Sequence, residues 1–316
     1  MPEARPARGS RLRRITTLGF YVAVIALLAA YVSRIDFATL AGLRLAWGYL
    51  LGGLAVGFGQ RMILPLVWVL IVRDLGVVVR DYPAYNFVYA KAWLGRYLPG
   101  KVAMVAARVY FAEELGASRS AMAVSSVAEL GAQLLVTVSI GLVGVASVGG
   151  AVEVIAPYRP IAYAMVALLA LMLWPRVFNG VVALLYRVLG RSLETRPKVG
   201  ASTITRAVVG FLVVSLLSGA MSVLFAASVD LRALDHPTFV WGAYSLAGAL
   251  GMAFVLAPSG LGAREAVQIP LYTLVFSAEA AVAIAVVSRV AEVAIDVLFY
   301  GASAGWSRAS KRPRRA

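Results

Sequence analysis

Long apolar runs separated by short polar connections make up most of this chain. Unbroken runs fall at about 15–33, 47–72, 120–149, 160–175, 204–229 and 279–304, each near the ~20 residues that a helix needs to cross a bilayer. They are too long and too continuous for barrel strands, which would alternate apolar with polar. Two further stretches, 83–115 and 238–276, are apolar but interrupted. The first breaks at Arg96-Tyr97-Leu98-Pro99-Gly100-Lys101, the second at Ala257-Pro258-Ser259-Gly260-Leu261-Gly262-Ala263-Arg264-Glu265. Pro removes a backbone donor and Gly tolerates unusual dihedrals, so each break ends one helix and starts another. The pattern predicts an all-α, polytopic integral membrane protein of about six full spans plus two re-entrant helical hairpins. The alternative for each broken stretch is a pair of ordinary spans joined by a Pro-Gly loop. The short halves favour hairpins.

Composition agrees with a membrane location: 61% of the 316 residues are hydrophobic and only 14% charged, against about 25% charged in soluble domains. The mean hydropathy is +0.83. The absence of Cys excludes disulfides and thiolate metal sites, and the single His236 excludes a histidine-cluster metal centre, so no cofactor is expected.

A net charge of +15 suggests nucleic acid in a soluble protein, but here its placement reports topology. With the N-terminus inside, 19 Lys and Arg residues fall on the cytoplasmic side and 4 outside. No nucleic-acid partner is therefore expected. The basic segment 1–14 and the tail 306–316 are cytoplasmic, flanking one transmembrane domain over 15–305. The run from Ile15 to Ser33 is long for a cleaved signal and reads as an uncleaved first helix. The expected location is the cytoplasmic (inner) membrane with both termini in the cytoplasm. The first hairpin then enters from the cytoplasm. Three spans later the second enters from outside, an inverted repeat of the kind that places a transporter's site where hairpin tips meet.

Seven cations remain at membrane depth: Arg61, Lys91, Arg96, Lys101, Arg108, Arg264 and Arg289. The acids there are Glu129, Glu265, Glu292 and Asp296. A charge at mid-bilayer costs roughly 2.5–3.5 kcal/mol on insertion scales, so each needs a partner or a wet cavity. Pro99 and Gly100 place a helix N-terminus beside Arg96 and Lys101, with Arg108 on the same face as Lys101. Ser259, Gly260 and Gly262 do the same beside Arg264 and Glu265. Two helix N-termini and their cations suit an anion such as the phosphate of a lipid headgroup. The alternative is structural pairing of those cations with Glu129, Glu265 or Asp296. Arg289, Glu292 and Asp296 share a face of the last span, where an Arg289–Glu292 pair would lower the insertion cost. Asp296 or Glu129 is the candidate to carry protons in a coupled transporter. Arg61 reads as a pairing residue or cavity liner, and Lys91 as snorkelling towards the cytoplasm. The Gly48/Gly52 and Gly53/Gly57 pairs suit close helix packing. The six Trp residues mostly fall near span ends, as interface anchors do.

Through Arg96-Tyr97-Leu98-Pro99-Gly100-Lys101 with Arg108, and Pro258-Ser259-Gly260-Leu261-Gly262-Ala263-Arg264-Glu265-Ala266, the chain resembles the lysylphosphatidylglycerol synthase transmembrane (flippase-like) family from about residue 15 to 305. The resemblance implies a flippase that moves lipids between leaflets. It points to Arg96, Pro99, Gly100, Pro258, Gly260, Gly262, Arg264 and Glu265 as site positions. The family's best-known members also carry a soluble synthase domain, which has no counterpart in these residues. That makes another anionic or polyprenyl-phosphate-linked lipid the expected substrate, with a separate lipid synthase or glycosyltransferase as the expected protein partner. The competing function is a membrane-embedded transferase using a lipid-linked donor, with Glu129 or Glu265 as base.

Overall fold

The computed structural model describes residues 44–97, 102–188, 196–253 and 262–311, with isolated positions at 19, 22, 26 and 190. The predicted first span at 15–33 therefore lies outside the described residues. So do Pro99, Gly100, Lys101, Pro258, Ser259 and Gly260.

Among the described residues all regular structure is helical. The helices are α1 (Trp47–Asp74), α2 (Tyr82–Leu94), α3 (Val102–Tyr110), α4 (Arg119–Val145), α5 (Gly149–Ile155), α6 (Arg159–Leu173), α7 (Pro175–Val188), α8 (Ala201–Ala227), α9 (Pro237–Ala253), α10 (Glu265–Tyr272) and α11 (Ala278–Ser310). Four are long and apolar enough to cross a membrane: α1, α4, α8, and α6 with its one-turn 3-10 lead-in from Ala156. The protein is thus membrane-embedded. The 33-residue α11 covers the predicted span at 279–304 and carries Arg289, Glu292 and Asp296 near its middle.

Each broken stretch forms two short helices that pack on each other, α2 with α3 and α9 with α10. At 1.5 Å per residue, the 9 residues of α3 and 8 of α10 reach only about 12–14 Å. Side-chain caps set the helix starts. Asp81 accepts from the amide of Ala84 at the head of α2. Ser118 and Ser277 cap α4 and α11 alike, accepting from Ala121 and Ala280.

Long, short, short, long is the order in α1–α4, and it recurs in α8–α11. The packing is unchanged when the two sets are exchanged. Helices α1 and α8 face each other, α4 lies on α9 as α11 lies on α2, and α4 meets α8 as α11 meets α1. Glycine permits the closest approaches. A Cβ on Gly144 would stand 2.5 Å from the Cα of Gly242, where α4 crosses α9. Gly53 and Gly57 meet Phe225, Met221 and Ile295 as their spacing predicts, whereas Gly48 faces open space and Gly52 reaches only Leu224 at 3.8 Å.

The polar-looking stretch 176–206 holds a helix that hydropathy alone did not resolve. In α7, Phe178, Val182 and Tyr186 recur every four residues and are buried, a one-sided pattern too narrow for a span. Asn179 then ties down the following chain. Its amide donates to the Val199 carbonyl (2.8 Å) and its Oδ1 accepts from the Val199 amide (2.9 Å). The Trp residues divide. Trp47 and Trp174 are exposed at helix ends, but Trp68 and Trp93 are buried and donate to Ser125 and Asp296, so these two are not interface anchors.

Candidate functional site

Around the midpoints of α1 and α11 the buried charges gather into one network. Asp296 accepts from Arg61 Nε (2.8 Å), Trp93 Nε1 (2.9 Å), Tyr97 OH (2.8 Å) and Arg96 Nη1 (3.4 Å). One turn earlier on α11, Glu292 accepts from Arg264 Nη1 (3.0 Å) and Tyr244 OH (2.7 Å). Arg264 Nη2 and Arg96 Nη2 lie 2.8 and 3.6 Å from its oxygens. The guanidiniums of Arg61 and Arg96 both lie 4.9 Å from the Trp93 ring, and that of Arg264 4.3 Å from the Tyr244 ring. Such stacking and planar forks suit Arg to buried charge pairing better than Lys.

The network borders a cavity of about 130 Å³ lined by Arg61, Arg96, Arg264, Tyr244 and Glu292. Gln60, Gln133, Thr137, Ser215, Ser218 and Ser245 add hydrogen-bonding groups, and Leu64, Leu130, Phe211 and Val214 add apolar wall. Among the described lining residues, three guanidiniums face one carboxylate, with Asp296 lying behind them. The two chain breaks contribute from opposite halves, Arg96 following α2 and Arg264 preceding α10. Both converge on Glu292. Of these arginines Arg96 is the most open, its side chain 17% exposed. Arg264 Nε, like Arg108 Nε, is buried without a hydrogen-bond partner among the described residues.

Other predicted site residues fall elsewhere. Arg108, expected on the headgroup face, is fully buried off the cavity and pairs with Glu129. Tyr89 donates to Glu129 (2.7 Å) beneath the Arg108 guanidinium, which stands 4.3 Å from the Tyr89 ring. Arg289 does not pair with Glu292 along its own helix. It pairs with Glu265, whose Oε2 also accepts from the Gly262 amide (2.8 Å) and so fastens the second break to α11. Gly262 adopts φ +78°, as its predicted role in a break requires. Lys91 is buried above Phe111, 3.5 Å from the ring centroid, and its amine reaches the exposed Glu114 beyond α3, in the direction of the loop expected on the cytoplasmic side.

Sequence reasoning missed the aromatic donors Trp93, Tyr97 and Tyr244. A signal for the last existed: Tyr89 and Tyr244 each stand seven residues after the first residue of α2 and α9. Aligning the halves on their helix starts would have paired them. No three His, Cys, Asp or Glu among the described residues gather as a metal set. Chemically, the cavity can hold an oxyanion against guanidinium forks and hydroxyls. Set against protein-family models, curated proteins and solved structures, the chain matches none of them.

Proposed function

We propose that this protein is a flippase-like lipid translocator, akin to the lysylphosphatidylglycerol synthase transmembrane family. It moves an anionic or phosphate-containing lipid between the leaflets of the cytoplasmic membrane. The observation that carries the reading is the meeting of Arg96 and Arg264, one from each chain break, at a cavity level with the middle of the long helices. Charged residues at that depth are costly even where partners and a cavity offset part of the cost, so they mark pathways and ligand sites. The headgroup phosphate sits between the break-flanking arginines while the acyl or prenyl chains stay in the bilayer. Glu265, Gly262 and Arg289 hold the second break in place.

In this reading α2–α3 and α9–α10 are re-entrant hairpins, since α3 and α10 are less than half as long as the ~30 Å hydrocarbon core. The positive-inside charge pattern has them entering from opposite faces. The repeated order and interchangeable packing of α1–α4 and α8–α11 support an inverted repeat. Rocking of one half against the other then exposes the cavity to each leaflet in turn.

Reconstitution into liposomes containing fluorescent phosphatidylglycerol tests the reading, with dithionite quenching to follow the inner-leaflet probe. Wild-type protein is expected to make that probe accessible. Arg264→Ala should lower the rate at least about tenfold, the size of a lost charge-assisted contact, with unchanged helical content. Equal rates for wild type, Arg264→Ala and protein-free vesicles would refute translocation by this site.

A further inference from the structure

The same three side chains are assembled twice in this fold. Arg108, Glu129 and Tyr89 form one set, and Arg264, Glu292 and Tyr244 the other. In each, a Tyr from the first short helix donates to the Glu across 2.7 Å, and an Arg lies 4.3 Å above that Tyr ring while pairing with the same Glu. Their surroundings differ. Arg108 is wholly buried, takes Ser126 as a further partner and borders no described cavity. Arg264 and Glu292 line the central cavity, with Arg96 approaching from the opposite break. The closed set therefore serves as an internal reference for what a purely structural Arg–Glu–Tyr cluster looks like.

Against that reference the open set is over-supplied with donors. Glu292 faces Arg264 Nη1 and Nη2, Tyr244 OH and Arg96 Nη2. Even so, Arg264 Nη2 is 2.8 Å from Oε1 without an aligned hydrogen bond, whereas in the closed set only Arg108 Nε, like Arg264 Nε, lacks a partner among the described residues. Arg96 stands off at 3.4 and 3.6 Å from Asp296 and Glu292, beyond the usual charge-assisted length. A planar carboxylate with two oxygens leaves this cradle partly unfilled. A tetrahedral phosphate, with oxygens in three dimensions, can take the donors that the carboxylate cannot.

We propose that Glu292 is a built-in competitor for the anion site: it occupies Arg264 in the empty protein and is displaced when a phosphate group binds. Glu292 thereby sets the affinity and keeps the site from holding its ligand too tightly, as release to the second leaflet demands. This rests on the anion-site reading above. No covalent step is involved. Arg264 exchanges one oxyanion for another while Glu292 stays within reach of Arg96 and Tyr244.

The test uses the full chain in neutral detergent micelles, with dioleoyl-phosphatidylglycerol as lipid probe and inorganic phosphate as soluble probe. Binding is followed by the fluorescence of the tryptophans, of which Trp93 adjoins Arg96. Glu292→Gln is expected to bind the lipid about tenfold more tightly than wild type, the scale of one removed charge contact. Glu129→Gln, in the closed set, should leave the affinity unchanged. Tighter binding of both probes by Glu292→Gln identifies the phosphate itself as the recognised group; a gain for the lipid alone means that the tails must anchor it. In wild-type protein, infrared difference spectra on adding lipid should show a carboxylate stretch shifting as Glu292 loses Arg264, a readout independent of whether the variant folds. Equal or weaker lipid binding by Glu292→Gln, or an infrared spectrum unmoved by lipid that does bind, overturns the competitor role alone. If neither wild type nor Glu292→Gln binds either probe, the anion site falls with it.

Discussion

Asp296 offers the sharpest test of how the buried charges are held. It is 1% exposed, and four donors from α1, α2 and the turn after α2 converge on it. Asp296→Leu leaves Arg61, itself 4% exposed, without its carboxylate. Removing one partner of a buried ion pair costs about 3–5 kcal/mol because the other charge remains desolvated. Exchanging both partners for apolar residues removes that penalty. Arg61→Met combined with Asp296→Leu should therefore recover most of the loss, though not all, since Trp93 and Tyr97 still lack an acceptor. Reversible unfolding in mixed micelles of mild detergent and dodecyl sulfate, followed by circular dichroism, gives the four free energies of the cycle. A coupling of about 2 kcal/mol or more is expected, within the range found for residues in contact. Additive effects, within roughly 0.5 kcal/mol, would mean that the pair contributes nothing jointly and would refute the account.

Two glycines of the long helices should respond oppositely to the same change. Gly144→Ala must push α4 from α9, because its new Cβ would meet backbone at 2.5 Å, and should destabilise by about 1–3 kcal/mol in the same unfolding assay. Gly48→Ala meets nothing within 4 Å and should be neutral or stabilise by about 0.5–1 kcal/mol through reduced backbone freedom. Asn179→Ala removes both side-chain hydrogen bonds that join α7 to Val199, leaving only the Arg196 bond to the Asn179 backbone carbonyl. Amide exchange at Val199 should rise by about an order of magnitude or more, as loss of two hydrogen bonds worth ~1 kcal/mol each predicts.

Hydropathy and Pro-Gly placement are properties of short windows, and they located most helices well. The runs predicted at 47–72, 120–149, 160–175, 204–229 and 279–304 coincide closely with α1, α4, α6, α8 and α11. The two broken stretches appear as paired short helices within a few residues of the predicted limits. The amphipathic α7 escaped because a window tuned to spans averages away a one-sided pattern.

The chain by itself determined that this is a helical membrane protein with two interrupted stretches, and which charges had to be buried. Burial follows from residue type and neighbours, so it can be read locally. Only the tertiary structure decided which charges meet. One residue turns a helix by about 100°, so partner choice depends on how each helix is rotated and docked. The nearby candidate for Arg289 was Glu292, yet an intrahelical pair contributes only about 0.2–0.5 kcal/mol. Cross-helix partners with better geometry win in the drier interior: Arg289 goes to Glu265, and Glu292 to Arg264 and Arg96. The same rotation seals Arg108 against Glu129 and opens Arg264 to the cavity, a distinction that no property of either arginine in sequence could carry.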